Sequence, residues 1–324
     1  MGMRPLRIAC SDFAASTTLN EWAALRLLAA SRPIEFSDFG SADLLLYSDF
    51  GERHWGFKGL KVYVTGENML PNFEQCDLAF TPLEVPGDPR AIRLPYYAQV
   101  LPALGSLVRP FGQPALSYSR REKFCSFVAS NPRGPERNTF FRKLNRRAPV
   151  DSAGRHFNNT GRHLLDKQSF LLGYRMNLAF ENSRSPGYIT EKLVEPLLAG
   201  CIPIYWGAPD VARDFNPRCM INVADFPDFD AAVDYIINVD RDEATSQAIL
   251  AEPAFRDNLP PACLAPAFMA DPIARLIDSG MAPGKRSYRH RRLREHAYAS
   301  PLHQSITSLK CRLDGLAWKM GLRF

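Results

Sequence analysis

The chain has 324 residues, 46% of them hydrophobic, which is enough for two α/β domains of ordinary size. No apolar run approaches the roughly 20 residues of a membrane-spanning helix. The net charge of +6 is unevenly spread, because residues 285–324 hold ten Lys/Arg against two acidic residues, a net of +8 that leaves about −2 for the first 284. This distribution excludes a basic groove across the fold, and with it a nucleic-acid partner.

The first half of the chain alternates short apolar strands with helical segments. A stretch rich in Ala and Leu predicts an amphipathic helix over 17–30. Predicted strands cover 6–10, 34–37, 43–47, 60–65 and 76–81. Such alternation predicts a parallel sheet covered by helices on both faces.

The second half repeats this organisation after a stretch rich in Pro and Gly over 82–114, and we place the domain boundary at 115–120. Predicted strands cover 123–130, 176–180, 201–206 and 220–223. Predicted helices cover 138–145 and 231–239, and a third begins at Thr190. The residues alone therefore predict an α/β protein with two lobes.

The most informative segment is 180–207, FENSRSPGYITEKLVEPLLAGCIPIYWG. It reads as the end of a strand, a polar loop, a helix capped by Thr190 and a second strand. A polar loop that feeds a helix N-terminus at the end of a strand is where α/β sheets bind anionic nucleotide ligands. Lys192, in the first helical turn, is unfavourable for the helix dipole, and a bound phosphate would explain it.

This segment resembles the donor-binding signature of the α-1,3/4-fucosyltransferases, glycosyltransferase family 10, which runs approximately FENS, GY-[IV]-TEK, LAG and IPIYWG. The resemblance is good over about 60–235 and poor over the first 50 residues. Pro196, inside the predicted helix, departs from a regular helix. The resemblance implies a GT-B-like fold of two Rossmann-like domains facing a cleft, with an acceptor-side domain at 1–117, a donor-binding domain at 118–284 and a basic C-terminal tail at 285–324.

On the acceptor side, the resemblance implies that Glu67 is the catalytic base. The sequence GENMLP follows a predicted strand, and family members carry a similar GEN-x-x-P segment. Asn68 belongs to this segment, while Arg93 and Tyr96 of RLPYY are further acceptor-side candidates. The alternative for Glu67 is an exposed loop glutamate.

On the donor side, Arg137 and Lys192 match the residues that neutralise the nucleotide diphosphate in the family. An arginine suits this role because it binds phosphate oxygens in a bidentate manner. Glu191 is expected to bind ribose, fucose or guanine, and Asn182 and Tyr188 to complete the pocket. A surface arginine at a helix start is the alternative for Arg137.

A metal site is not expected. The Asp228-Phe229-Asp230 triplet matches a DxD metal motif, but it directly precedes a helical pattern, so helix capping is the simpler interpretation. The histidines show no ligand spacing, and no obligatory cofactor is predicted, although stimulation by Mn²⁺ or Mg²⁺ stays open.

The tail at 285–324 combines a basic cluster with an apolar stripe at helical spacing. It predicts an amphipathic helix that binds an anionic membrane surface, packs on the body or forms a homodimer seam. The start of the chain lacks a signal-peptide pattern, and the seven cysteines contain no C-x-x-C pair, with Cys10, Cys125 and Cys201 expected in the core. We therefore expect a cytoplasmic protein, which is peripheral on the inner membrane if the tail binds an anionic surface.

The resulting hypothesis is an inverting fucosyltransferase that moves L-fucose from GDP-fucose to a hydroxyl of an N-acetylglucosamine or glucose unit, through an α-1,3 bond. The resemblance to bacterial members implies a role in lipopolysaccharide or a similar surface glycan. Two alternatives remain: a glycosyltransferase with another nucleotide-sugar donor, and a non-enzymatic protein that binds glycans or membranes.

Overall fold

A computed structural model describes residues 4–14, 17, 23–100, 106–108, 121–161 and 164–284. These residues form two compact units. One contains the described part of 1–99 together with 261–284, and the other lies within 100–260. The predicted boundary at 115–120 and the predicted tail at 285–324 lie outside the described residues.

The first unit is built on a parallel sheet in the order β2-β1-β3-β4-β5-β6. Its strands are β1 (Leu6–Ser11), β2 (Ile34–Phe36), β3 (Leu44–Tyr47), β4 (Leu60–Val64), β5 (Leu78–Thr81) and β6 (Ala91–Arg93). Helix α1 (Ala23–Ser31) follows β1, and α2 (Tyr96–Val100) follows β6. The predicted strands of this half are confirmed, whereas residues 18–22 of the predicted first helix are not described.

Both faces of this sheet are buried, as is typical of parallel sheets. Ile8, Leu44, Val62 and Phe80 pack on one face against α1, and Tyr47, Tyr63 and Phe57 belong to a second cluster. The apolar runs of these strands therefore reflect burial on two sides rather than on one.

The second unit has the parallel sheet order β11-β10-β9-β7-β8. Its strands are β7 (Lys123–Phe127), β8 (Val150–Ser152), β9 (Tyr174–Phe180), β10 (Ile202–Trp206) and β11 (Ile221–Asn222). Its helices are α3 (Pro135–Arg147), α4 (Lys167–Leu171), α5 (Glu191–Ala199), α6 (Phe229–Arg241) and α7 (Glu243–Ala251). Read in chain order, the first five strands of both units are arranged 2-1-3-4-5, a doubly wound topology.

The chain then returns to the first unit as α8 (Ala267–Asp278). Ile273 and Leu276 of α8 join the same core as Leu25 and Leu28 of α1. Arg32 Nη2 also lies 2.7 Å from Asp278 Oδ1. Helix α8 therefore supplies part of the cover of the first sheet.

Several predicted elements differ in extent from the structure; the predicted strand at 123–130, for example, ends at Phe127. Helix α3 begins at Pro135, three residues before the predicted start at 138, because proline is compatible with the first helical turn. The predicted strand at 220–223 is reduced to Ile221–Asn222, since the Asn222 side chain accepts the N–H of Ala224 and starts a 3₁₀ turn. Cys125 and Cys201 are buried as predicted, and Cys10 is half-buried.

Candidate active site

The loop and helix that follow β9 carry most of the residues predicted to bind the donor: Asn182, Tyr188, Glu191 and Lys192. The Thr190 hydroxyl oxygen accepts the N–H of Lys192 at 3.3 Å, so Thr190 is the N-cap of α5 as predicted. The helix continues through Pro196 to Ala199, although a proline there removes the N–H that would bond to the carbonyl of Lys192. The loop is fixed by Asp210, whose Oδ1 accepts the N–H of Gly187 at 2.8 Å.

Lys192, in the first turn of α5, lies between two carboxylates. Its Nζ is 3.3 Å from Glu191 Oε1 and 3.5 Å from Glu181 Oε2. Burial favours the neutral amine, but Glu181 and Glu191 outweigh it and raise the pKa of Lys192, so the ammonium stays charged at neutral pH. Burial likewise opposes ionisation of Glu191, yet Lys192 and Lys167 lower its pKa.

Arg137 lies in the first turn of α3 and is 3% exposed, so it is neither a loop residue nor a surface arginine. Its Nη1 donates to Asn182 Oδ1 at 2.8 Å, which joins two residues predicted for the donor pocket. Its Nη2 donates to the carbonyl oxygens of Asn131 at 2.6 Å and Arg133 at 2.5 Å. The charge of Arg137 also acts on Lys192, where it opposes protonation.

The structure thus pairs Arg137 with Asn182 and Lys192 with Glu191, and the charge of Arg137 acts on Lys192. Tyr188, the remaining predicted donor residue, is buried in the loop before α5, and its N–H donates to the Ser185 carbonyl at 3.2 Å. Sequence reasoning missed Glu181, which is fully buried and accepts from Thr190. The signal was available, since Glu181 is the second residue of the FENS motif.

On the other unit, Glu67 is exposed and lies just beyond the carboxyl end of β4. Its N–H donates to Thr65 Oγ1 at 3.0 Å, and the Thr65 hydroxyl donates to Asp49. Its carbonyl accepts the N–H of Met69 at 2.8 Å. An exposed carboxylate at the carboxyl end of a parallel strand is placed to accept a proton from a ligand.

Helix α2 holds the turn that carries Glu67. Gln99 Nε2 donates to the Thr65 carbonyl at 2.8 Å. The Tyr96 ring packs so closely on Gly66 that a Cβ at that position would lie 2.0 Å from Tyr96 Cδ2. Tyr96, predicted as an acceptor-side residue, therefore contacts the turn of the candidate base.

The other two acceptor-side candidates share this edge of the sheet. Asn68 is half-buried beside Glu67. Arg93 ends β6 in register with Thr81 of β5, so two strand spacings, about 10 Å, separate the ends of β4 and β6. The packing of its ring on Gly66 links Tyr96 to the Glu67 turn.

The Asp228-Phe229-Asp230 triplet caps α6 as predicted. Asp228 Oδ1 accepts the N–H of Ala231 at 2.8 Å, and Asp230 pairs with Lys143 at 2.6 Å. Within the part of the chain that the structure describes, no group of three or more His, Cys, Asp or Glu side chains could hold a metal ion. Over the same residues, no helix is long and apolar enough to cross a membrane.

Comparison with known proteins gives matches in both units. The family model described as glycosyltransferase family 10 (fucosyltransferase) C-term matches residues 118–248, and that of the alpha-(1,3)-fucosyltransferase FucT N-terminal domain matches residues 8–100. The alpha-(1,3)-fucosyltransferase FucT of Helicobacter pylori is 37% identical over an alignment of 240 residues. This alignment covers 63% of this chain. The matched region is 48% of that relative, so the chain spans about half its length.

Solved structures agree with the sequence matches. A crystal structure of an alpha1,3-fucosyltransferase with GDP has a TM-score of 0.72 and 28% identity, and covers 88% of this chain and 94% of its own. A crystal structure of an alpha1,3-fucosyltransferase with GDP-fucose has a TM-score of 0.70. Its identity is again 28%, and the match again covers 88% of this chain and 94% of the other. These matches confirm the predicted GT-B-like α/β fold class. Residues 8–100 and 118–248 together make the chain a member of glycosyltransferase family 10, the fucosyltransferase family.

Proposed function

We propose that the chain is an α-1,3-fucosyltransferase that transfers L-fucose from GDP-fucose to a hydroxyl of an N-acetylglucosamine or glucose unit in a glycan. The observation that carries this proposal is a pair of cations in one unit, Lys192 in the first turn of α5 and Arg137 in the first turn of α3. Lys192 is kept charged by two carboxylates, and the buried Arg137, held by Asn182, exerts its charge on Lys192. Relatives of the same family, one with GDP and one with GDP-fucose, share the fold.

The reaction raises the negative charge on the nucleotide. As the acceptor oxygen bonds to C1 of fucose, the bond from C1 to the phosphate oxygen breaks, and its electron pair leaves with GDP. Lys192, Arg137 and the N-terminus of α5 offset this developing charge. A cation set of this kind stabilises the leaving group more than the intact donor, which is what lowers a barrier.

The acceptor proton goes to Glu67 in this scheme. Its exposed carboxylate lies on a turn held by Thr65, Tyr96 and Gln99. A single displacement inverts the configuration at C1 and forms no covalent sugar–enzyme intermediate. General-base catalysis accounts for roughly 10²- to 10⁴-fold in rate, so Glu67→Gln should reduce transfer by at least about 100-fold.

The test measures transfer of labelled fucose from GDP-fucose to type 1 and type 2 lactosamine acceptors, with EDTA and with Mn²⁺. Product on the type 2 acceptor in both conditions supports the α-1,3 linkage and a site that needs no divalent ion. Glu67→Gln should reduce product formation by at least about 100-fold and retain GDP binding. Loss of GDP binding in this variant would contradict its role as base, and absence of GDP-fucose binding by the wild-type chain would contradict the function.

The finer proposal places the acceptor in lipopolysaccharide or a similar surface glycan, with the enzyme peripheral on a membrane. Its support is the resemblance to bacterial members and the basic, amphipathic pattern at 285–324, which lies outside the described residues. Co-sedimentation of the full chain with vesicles containing anionic lipid, against neutral vesicles, tests the membrane part.

A further inference from the structure

Glu181 is a buried carboxylate that the scheme above does not use. It directly follows β9, and its backbone N–H donates to the Trp206 carbonyl at 2.8 Å. Its side chain is fully buried, and burial raises its pKa while Lys192 opposes that shift. Burying a carboxylate is costly unless donors surround it, so the donors around Glu181 indicate its role.

Those donors belong to the first turn of α5 and to its cap. Glu181 Oε1 accepts the N–H of Thr190 at 2.7 Å, and Oε2 accepts the Thr190 hydroxyl at 2.7 Å. A hydroxyl has one proton to donate and can accept two hydrogen bonds. Because that proton goes to Glu181, the Thr190 oxygen can accept from Lys192, both from its backbone N–H at 3.3 Å and from Nζ at 3.1 Å.

The end of β10 leaves space for this arrangement. A Cβ at Gly207 would lie 2.5 Å from Glu181 Cγ and 2.5 Å from the Tyr205 hydroxyl oxygen. The Tyr205 hydroxyl in turn accepts the N–H of Ala208 at 2.9 Å. The backbone at the end of β10 therefore restricts the Glu181 side chain, in addition to its hydrogen bonds with Thr190.

We propose that Glu181 is a positioning residue of the donor site: through the Thr190 hydroxyl and N–H, it holds the Lys192 ammonium and the N-terminus of α5 in the arrangement that binds a nucleoside diphosphate. This inference rests on the proposed donor function and deepens it. Glu181 itself need not touch the nucleotide, because its effect passes through Thr190.

Whether GDP affinity falls or rises when Glu181 is neutralised separates the positioning role from a simple charge effect. Glu181 is an anion 3.5 Å from Lys192, so through charge alone it weakens the attraction between Lys192 and a phosphate. Neutralising it would then tighten GDP binding. A positioning role gives the opposite result, because the glutamine carbonyl oxygen can accept from only one Thr190 donor and its N–H₂ group faces the other.

The experiment is a double-mutant cycle on the full chain, with GDP affinity measured by calorimetry for wild type, Glu181→Gln, Lys192→Ala and the double variant. We expect Glu181→Gln to weaken GDP binding by about tenfold, the equivalent of one hydrogen bond to a charged group. In the Lys192→Ala background the same change should have a clearly smaller effect, because only the N-terminus of α5 is then left for Glu181 to position.

Two variants at Thr190 test the hydroxyl link without changing Glu181. Thr190→Val removes the hydroxyl link and should reproduce the loss of Glu181→Gln, whereas Thr190→Ser keeps the hydroxyl and should retain wild-type affinity. Glu252→Gln is the matched control, since Glu252 is a partly buried carboxylate of the same unit that pairs with Arg218 and Asn216. It should leave GDP affinity unchanged.

Unchanged or tighter GDP binding by Glu181→Gln would overturn the inference, and so would losses that simply add in the double variant. In either case, binding of GDP by the wild-type chain and its loss in Lys192→Ala would leave the proposed function standing. Failure of the wild-type chain to bind GDP would instead overturn the proposed function, and this inference with it.

Discussion

The hydroxyl oxygen of Thr65 accepts the backbone N–H of Glu67 at 3.0 Å and donates its own proton to Asp49. The arrangement at Thr190 is the same, with Lys192 in place of Glu67 and Glu181 in place of Asp49. In both units a threonine joins a carboxylate to the residue two positions further on. The candidate base and the candidate phosphate ligand are thus held by similar hydrogen-bond chains.

Thr65→Val should lower kcat for fucosyl transfer by about 10- to 100-fold, since small displacements of a reacting group are costly in rate. The affinity for GDP should stay unchanged, because Thr65 holds only the turn that carries Glu67. Steady-state transfer kinetics together with GDP calorimetry measure the two effects separately. Thr65→Ser retains the hydroxyl and serves as the control; a loss of GDP affinity in Thr65→Val would contradict the assignment.

Arg137→Lys should weaken GDP binding by roughly tenfold or more, because an ammonium cannot reproduce the planar set of donors that a guanidinium offers. In the structure these donors reach Asn182, Asn131 and Arg133 at once. Arg147→Lys is the matched control on the same helix, since Arg147 is half exposed and pairs with Asp234. Equal effects of both substitutions on GDP affinity would argue against a donor role for Arg137.

Gly66→Ala should reduce transfer activity, because the added Cβ would lie 2.0 Å from Tyr96 Cδ2 and must displace either the ring or the Glu67 turn. Gly40→Ala is the control in the same unit, since no described atom outside its immediate chain neighbours lies within 4 Å of a Cβ there. Transfer rates and melting temperatures of both variants check the expectation. Full activity of Gly66→Ala would show that the turn adjusts without loss of the base.

Asp12→Asn should lower the free energy of unfolding at neutral pH by about 1–3 kcal/mol, the cost of unsatisfied buried donors. The Asp12 carboxylate accepts the N–H groups of Arg53 and His54 at 3.0 and 2.9 Å and contacts His54 Nδ1 at 2.6 Å. Burial opposes ionisation of Asp12, but the His54 and Arg53 donors outweigh it and lower its pKa.

Because the pKa of Asp12 is lower in the folded than in the unfolded chain, its contribution is complete above the ordinary value of 3.8 and is lost as the pH falls through the folded value. The difference in unfolding free energy between wild type and Asp12→Asn should therefore stay constant at neutral pH and shrink in strong acid. Denaturant unfolding across this range measures it, with Asp271→Asn on the exposed face of α8 as the control. A difference that grows toward low pH would contradict this account.

The motif correctly places Asn182, Glu191 and Lys192 around one strand end and one helix cap, while their roles in donor binding stay predictions. It could not show that the Glu181 side chain turns back to Thr190, nine residues along, since such a contact depends on how the loop closes. Arg137 directly precedes the predicted helix at 138–145, whereas in the structure it lies inside α3, which begins at Pro135. Helix α8 was not predicted; Pro272 lies inside it and interrupts the residue pattern of a regular helix.

The return of the chain at α8 determines when the first unit can complete its core during synthesis. Residues of the second unit leave the ribosome between the two segments that make up the first unit. The core that Ile273 and Leu276 share with α1 therefore cannot close until the elements of the second unit have all been made. A chain stopped at residue 260 would keep the second unit but leave uncovered the part of the α1 core that Ile273 and Leu276 close, exposing a surface prone to aggregation.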